Sequence, residues 1–192
     1  MRRLVRPGRT LPGSAAKGAS NRLLCLEVAR LSEALRAEGP GVAEPMEAYP
    51  TKKTYVAYYD LLKPSVVERL VTEIEDGTYF YIHFGLPCSS WSLLQNLNGG
   101  TRTRENPEGD GTLDRESIGN RMAKTVARLC KLQHSMGLFF SIENPRTSRV
   151  WDFGPIARLS PFCVDVIIDQ CEYNLTPPHE SQSKPTFTLS HN

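Results

Sequence analysis

The sequence predicts an α/β domain in which a mostly parallel sheet lies between helices. Apolar runs of strand length alternate with segments of helical period, and two of the strands end abruptly in polar loops. The chain has 192 residues, of which 40% are hydrophobic and 23% are charged. That length and composition suit one soluble globular domain. We expect this domain to occupy residues 23–192, after a basic disordered tail at 1–22.

The beginning of the domain allows two readings. Residues 23–28 are apolar enough for a strand, but Leu24, Val28, Leu31 and Leu35 recur at helical spacing, so one helix over 22–38 is an alternative. Two further short strands are predicted, at 41–48 and 55–59.

Strands and helices alternate more clearly from residue 64 onward. Helical period appears in two segments, 64–75 and 119–136. Strand character appears in four segments, 79–84, 138–142, 164–168 and 186–189. Because a single helix joins the strands at 79–84 and 138–142, we expect these two strands to be neighbours in the sheet. The apolar residues of segment 95–115 recur with no regular period, which predicts a long mobile loop.

Charge is unevenly distributed along the chain. Residues 1–22 contain six Lys and Arg and no acid, whereas the remainder contains 17 basic and 21 acidic residues, a net charge of −4. Such a start is typical of an organelle transit peptide, of an arm that contacts nucleic acid, or of a solvated tail. No stretch approaches the roughly 18 apolar residues that span a bilayer, so we expect no membrane association.

The cysteine and histidine patterns exclude several kinds of site. The five Cys include no C-x-x-C pair and the four His have no metal-ligand spacing, so we expect no metal site and no disulfide framework. An intracellular location, in the nucleus or cytoplasm, is the resulting expectation. The sequence also lacks a P-loop and a G-x-S-x-G motif.

Two candidate catalytic residues follow the neighbouring strands. Cys88 comes after the strand at 79–84, and Glu143 comes directly after the strand at 138–142. A free Cys is often a small buried packing residue, but a buried Glu is costly unless it is hydrogen-bonded. A thiol and a carboxyl at adjacent strand ends can attack an electron-poor carbon and support the nitrogen that takes up charge. We expect both side chains to face one pocket near Asp60.

The segments around these residues resemble the Pro-Cys and Glu-Asn motifs of the cytosine-5 methyltransferases. They read Gly-Leu-Pro-Cys-Ser-Ser-Trp-Ser at 85–92 and Ser-Ile-Glu-Asn-Pro at 141–145, and compact phage-like or transposon-associated members also carry Glu-Asn-Pro. Residues 169–173 and 184–186 are similar to downstream segments of that subgroup. The resemblance implies a Rossmann-like sheet of the class I S-adenosylmethionine-dependent methyltransferase type, incomplete at the first strand and at the C-terminus.

The resemblance also implies the chemistry. The thiolate of Cys88 would add to carbon 6 of a cytosine, and Glu143 would hold the ring at nitrogen 3 and the amino group. Carbon 5 would then take a methyl group from S-adenosylmethionine, after the base has left the stack. The partner would be nucleic acid, with DNA as the first expectation and RNA left open.

Further site residues follow from the resemblance. It assigns cofactor contacts to Glu47, Asp60 and Pro87. It assigns substrate contacts to a second set: Ser89, Ser90, Asn144, Arg102 and Arg104. Arg102 and Arg104, together with Arg115, would meet phosphates. A solvated loop is the alternative for those arginines, and a plain surface role is the alternative for Glu47.

One departure from the family bears on activity. The family ends its first strand in a Phe-x-Gly-x-Gly loop, whereas residues 27–35 contain no glycine. We therefore expect weak cofactor binding. Two alternatives to an active enzyme follow: a degenerate homologue that keeps nucleic-acid contact, and an interaction domain in which Cys88 and Glu143 are structural.

Overall fold

A computed structural model describes residues 22–26, 36–37, 41–43, 60–169 and 185–191. Its strands are β1 Arg22–Leu26, β2 Gly41–Val42, β3 Tyr81–Gly85, β4 Phe139–Pro145, β5 Cys163–Asp169 and β6 Pro185–His191. Its longer helices are α1 Pro64–Glu75 and α2 Asp114–Ser135, and a single turn forms α3 at Gly154–Ala157. None of the helices in these ranges is long and apolar enough to cross a membrane.

The strands form one mixed sheet in the order β2-β1-β3-β4-β6-β5. The first four strands in this order are parallel, whereas β6 runs antiparallel to both β4 and β5. The predicted α/β architecture with a mostly parallel sheet is therefore confirmed. The predicted pairing of the strands on either side of α2 is also confirmed, because β3 and β4 are parallel neighbours.

The beginning of the domain is a strand, so the prediction of one helix starting at residue 22 is wrong. β1 pairs with β2 on one side and with β3 on the other, and Leu24, opposite Ile82, is 1% exposed. Ladder hydrogen bonds on both sides outweigh the helical spacing of the leucines. The expectation that the first strand is incomplete relative to the methyltransferases stays a prediction, because the chain directly after Leu26 lies outside the described residues. Residues 36–37 are helical, whereas 27–35, 44–48 and 55–59 lie outside the described residues.

The two longer helices have the predicted apolar faces. The buried residues of α1 are Val66, Val67, Leu70 and Ile74. Those of α2 include Met122, Val126, Leu129 and Cys130. The latter helix begins at Asp114, five residues before the predicted start, and carries acidic residues in its first turn that favour a helix N-terminus.

The segment predicted as a mobile loop has a defined fold. A 3-10 helix covers Leu93–Asn98, and Gly99 closes it with a φ of 71°. The chain from there to Asp114 folds back on the first turns of α2, where hydrogen bonds to Arg102 and Glu116 hold it. These contacts fix the position of the loop that follows β3.

Candidate active site

The register of β3 and β4 brings the two candidate catalytic segments to one edge of the sheet. Gly85 lies opposite Glu143 in the parallel pair, and the Leu86 N–H donates to the Glu143 carbonyl oxygen at 3.3 Å. The carboxyl ends of adjacent parallel strands are where α/β sheets place their sites. The Cys88 loop, residues 86–92, therefore starts beside Glu143.

The Cys88 loop is a tight turn that presents its thiol outward. Cys88 is exposed and outside any disulfide. Its carbonyl oxygen accepts hydrogen bonds from the N–H groups of Trp91 and Ser92, each at 3.0 Å, and Pro87 before it is half-buried. A thiol in this position can be reached by a large substrate.

Asn144 ties the end of β4 to the Cys88 loop. Its side chain is fully buried, and its Nδ2 donates to the Leu86 carbonyl oxygen at 2.7 Å. Its Oδ1 has no hydrogen-bond partner among the described residues. The amide was predicted to contact substrate, but in this structure it holds the protein's own loop.

A small cleft lies between the Cys88 loop and the first turns of α2. Its lining includes Pro87, Ser89, Trp91, Arg115 and Met122. Neither Cys88 nor Glu143 is among the described residues that line it. A single pocket shared by Cys88 and Glu143 therefore stays a prediction, although their strand ends are adjacent.

Arg102 has a structural role in place of the predicted phosphate contact. It is 3% exposed, and its guanidinium carbon lies 3.5 Å from the centroid of the Trp91 ring. Nε donates to the Ser90 carbonyl oxygen at 2.9 Å, and Nη2 donates to the Glu116 carbonyl oxygen at 2.8 Å. Nη1 donates to the Asn120 Oδ1 and to a loop carbonyl. A phosphate could reach this guanidinium only by displacing those bonds.

Burial lowers the pKa of Arg102 to about 10, and the negative charges of Glu116 and Glu108 oppose that shift. The guanidinium is still protonated at neutral pH, so it links the Cys88 loop to α2 as a cation. Buried charges are tolerated when hydrogen bonds satisfy them, as the four bonds of Arg102 do.

The other residues predicted to contact substrate or cofactor differ in their exposure. The Nε of Arg104 lies 3.8 Å from the Oδ1 of Asp152, with three quarters of its side chain in solvent. Ser89 is exposed, whereas Ser90 is buried. Asp60 is half-buried, and its Oδ1 accepts the Leu62 N–H at 2.9 Å in the turn before α1. Glu47 lies outside the described residues.

Two residues that organise this edge were not predicted from the sequence. Trp91 is 1% exposed, and its ring packs against the guanidinium of Arg102. The Trp91 carbonyl oxygen accepts a hydrogen bond from the Arg149 N–H at 2.9 Å. Glu116 is 1% exposed, and its carboxylate accepts bonds from the N–H of Thr101 at 2.8 Å and from its hydroxyl at 2.5 Å. A tryptophan in a polar segment was the one available signal, because such a large ring is rarely left in solvent.

Comparison of the chain with models of known protein families and with curated proteins finds no match. Among the described residues, no three His, Cys, Asp or Glu side chains converge as a metal site requires.

Proposed function

We propose that this chain is a cytosine-5 methyltransferase-like protein that transfers a methyl group from S-adenosylmethionine to a cytosine in nucleic acid. Cys88 is the nucleophile and Glu143 is the carboxyl that supports the ring. The proposal rests on one observation above all. The pairing of Gly85 with Glu143 sets the Cys88 loop and the Glu-Asn-Pro segment side by side at the carboxyl edge of the sheet.

The surrounding geometry supports this assignment. Cys88 is exposed, next to exposed Ser89, on a loop that buried groups hold from two sides, Asn144 from β4 and Arg102 from the segment before α2. A nucleophile benefits from such fixation, because a reacting atom held at the right distance lowers the entropic cost of attack. The strand order is compatible with a Rossmann-like fold of the methyltransferase type.

The chemical roles follow from the two groups. The Cys88 sulfur, as a thiolate, forms a bond to carbon 6 of a flipped cytosine, and the electron pair of the 5,6 double bond moves toward carbon 5. Glu143 binds nitrogen 3 and the amino group and stabilises the charge that develops there. Once carbon 5 has taken the methyl group that S-adenosylmethionine would supply, a base would remove the proton from carbon 5, and the Cys88 thiolate would leave to restore the 5,6 double bond.

The described residues give partial support for the cofactor. The carboxyl end of β1 lies next to that of β3, with β2 on the far side of β1, and this is the edge at which ligands of such sheets bind. Asp60 and Pro87 would contact the cofactor from this side, with Glu47 as a further contact. When bound, S-adenosylmethionine supplies the methyl group.

A trapping experiment tests the nucleophile. The full chain is incubated with S-adenosylmethionine and oligonucleotides that contain 5-fluorocytosine, whose carbon 5 cannot release a proton, and denaturing gels are used to detect a covalent adduct. We expect an adduct with the wild type, none with Cys88→Ala, and a rate at least about 100-fold lower with Glu143→Gln. Cys163→Ser is the matched control and keeps the adduct. An adduct with Cys88→Ala would show that the assignment is wrong.

A degenerate homologue is the second candidate, and the glycine-free segment at 27–35 favours it. A glycine loop offers backbone N–H donors and room for the methionine part of the cofactor, and side chains would fill that room. Under this hypothesis, calorimetry with S-adenosylmethionine gives a Kd well above micromolar. Micromolar or tighter binding, about −8 kcal/mol, would remove this candidate and leave the active enzyme.

A further inference from the structure

A basic groove runs along the outward side of α2, away from the Cys88 loop. We use the name for the depression between α2 and α3. Its floor is Ala127 and Pro155, and its rim consists of four cationic side chains, Lys124, Arg128, Lys131 and Arg158. Lys124, Arg128 and Lys131 are spaced four and three residues apart, so they form one row on the helix.

Most of these cations have no acidic partner within the described ranges. Only Arg128 forms an ion pair there, with Glu68 at 3.1 Å. The Lys124 ammonium lies 5.9 Å from the centroid of the Phe153 ring, a contact that leaves its charge in place. Because Glu68 neutralises Arg128, the groove keeps three positive charges, those of Lys124, Lys131 and Arg158.

The groove therefore differs in charge from the rest of the domain. Residues 23–192 carry a net charge of −4, so a local excess of cations is a feature of this surface rather than of the composition. Two arginines of the Cys88 side are used within the protein, since Arg102 is buried and Arg115 donates to the Asn98 carbonyl oxygen at 2.9 Å, whereas Arg104 and Arg146 on that side are exposed. The groove brings onto one surface three exposed cations that have no acidic partner among the described residues.

We propose that the basic groove binds the sugar-phosphate backbone of the nucleic acid that flanks the target base. The choice of nucleic acid among polyanions rests on the proposed function, whereas the groove itself does not. Lys124 and Lys131 are about 10 Å apart along the helix axis, which matches about three nucleotides at 3.4 Å each. The cleft residue Gly119 is about 18 Å from Lys131 along the same axis, or about five nucleotides.

The test measures binding of fluorescent single- and double-stranded DNA by anisotropy over a salt series. The groove variant is Lys124→Gln, Lys131→Gln and Arg158→Gln together. The matched control, Arg22→Gln, Arg36→Gln and Lys63→Gln, removes the same charge elsewhere. We expect the groove variant to lose at least 10-fold in affinity at low salt and to flatten the log–log salt slope by about two to three. The control variant should keep most of the affinity and most of the salt dependence.

The outcomes separate this proposal from the proposed function. Equal losses in the groove and control variants would overturn it, since net charge alone would then explain binding. Polyglutamate that competes as well as DNA of equal charge would also overturn it, in favour of an acidic protein partner. If the groove variant loses binding while the wild type forms no 5-fluorocytosine adduct, the groove stands and methyl transfer fails. If the groove variant binds DNA as tightly as the wild type while the wild type forms the adduct, methyl transfer stands and the groove proposal fails.

Discussion

At the scale of single residues, a buried carboxylate organises the loop that supports the candidate site. The Glu116 carboxylate accepts two hydrogen bonds from Thr101, and the backbone at Gly109 passes directly against it. Gly109 has a φ of 80°, in the left-handed region, and an added Cβ would collide with Glu116 Oε2 and lie 2.7 Å from the Thr101 hydroxyl. The glycine is thus required both for its conformation and for its lack of a side chain.

We predict that Gly109→Ala destabilises the protein by about 2–4 kcal/mol, from left-handed strain plus the collision. Gly111 is the matched control, because it has a similar φ of 84° but open space around its Cα. Gly111→Ala should cost only the strain, about 1 kcal/mol. Urea unfolding of the two variants measures the difference. Equal costs would mean that Glu116 moves aside freely and does not anchor the loop.

The sequence pointed to the two candidate catalytic residues at this edge but not to the buried residues that hold the loop. Cys88 and Glu143 could be found because each follows an apolar strand, and strand ends of parallel sheets meet. Arg102 and Glu116 lie in or beside a polar stretch without period, where a buried charged side chain looks the same as a solvated one. Their burial depends on how the loop folds back on α2, which no local pattern encodes.

At the scale of elements, β1 determines whether the sheet is continuous. It bridges β2 and β3, and Leu24 is its most buried described side chain, at 1% exposure. A helix in this place would leave β3 with an open edge. Pairing on both sides accounts for the strand despite the helical spacing of its leucines.

We predict that Leu24→Ala costs about 2–5 kcal/mol of unfolding free energy, because it leaves a cavity in the core beside Ile82. Leu23→Ala is the control, since Leu23 is only half-buried and points to the other face of the strand. Denaturant unfolding with both variants provides the measurement. If the two costs were the same, Leu24 would not face the core and the position of β1 would be wrong.

The period of apolar residues was sufficient to predict α1, α2 and the pairing of β3 with β4. It failed where two periods overlapped, at β1, and where a helix began with polar residues, at Asp114. It also predicted a last strand near 186–189 without its direction. The direction of a strand depends on the route of the chain that connects it to the previous strand. The alternation of apolar and polar residues does not encode that route.

At the scale of the whole molecule, three acidic groups are held protonated by the core. Burial raises the pKa of Tyr79 to about 12 and that of Cys163 to about 11, and it raises the pKa of Cys130 well above its usual value. Glu73 adds to the shift of Tyr79, whose hydroxyl donates to it at 3.0 Å. In the unfolded chain these groups ionise near 9 for the thiols and 10 for the phenol.

We predict that the protein loses stability in alkali, beginning near pH 9. The unfolded state releases these protons first, so stability is fully present below pH 9 and falls as the pH rises toward 12. Each group contributes up to about 1.4 kcal/mol per pH unit within its window. Melting temperatures between pH 8 and 12 measure this. Tyr79→Phe should flatten the fall between pH 10 and 12, and a curve parallel to the wild type would contradict the role of Tyr79.

The placement of β6 has a consequence for how the chain folds. Among the described strands, β5 pairs only with β6, which comes later in the chain and inserts between β4 and β5. The unit from β3 through α2 to β4 lies entirely before β6 in the chain and can assemble first, whereas β5 must wait for residues 185–191. During synthesis, the edge of β4 and the whole of β5 stay unpaired until those residues leave the ribosome. An unpaired strand edge can template wrong pairing, so the interval before β6 docks should be the one in which the nascent chain is most exposed to misassembly.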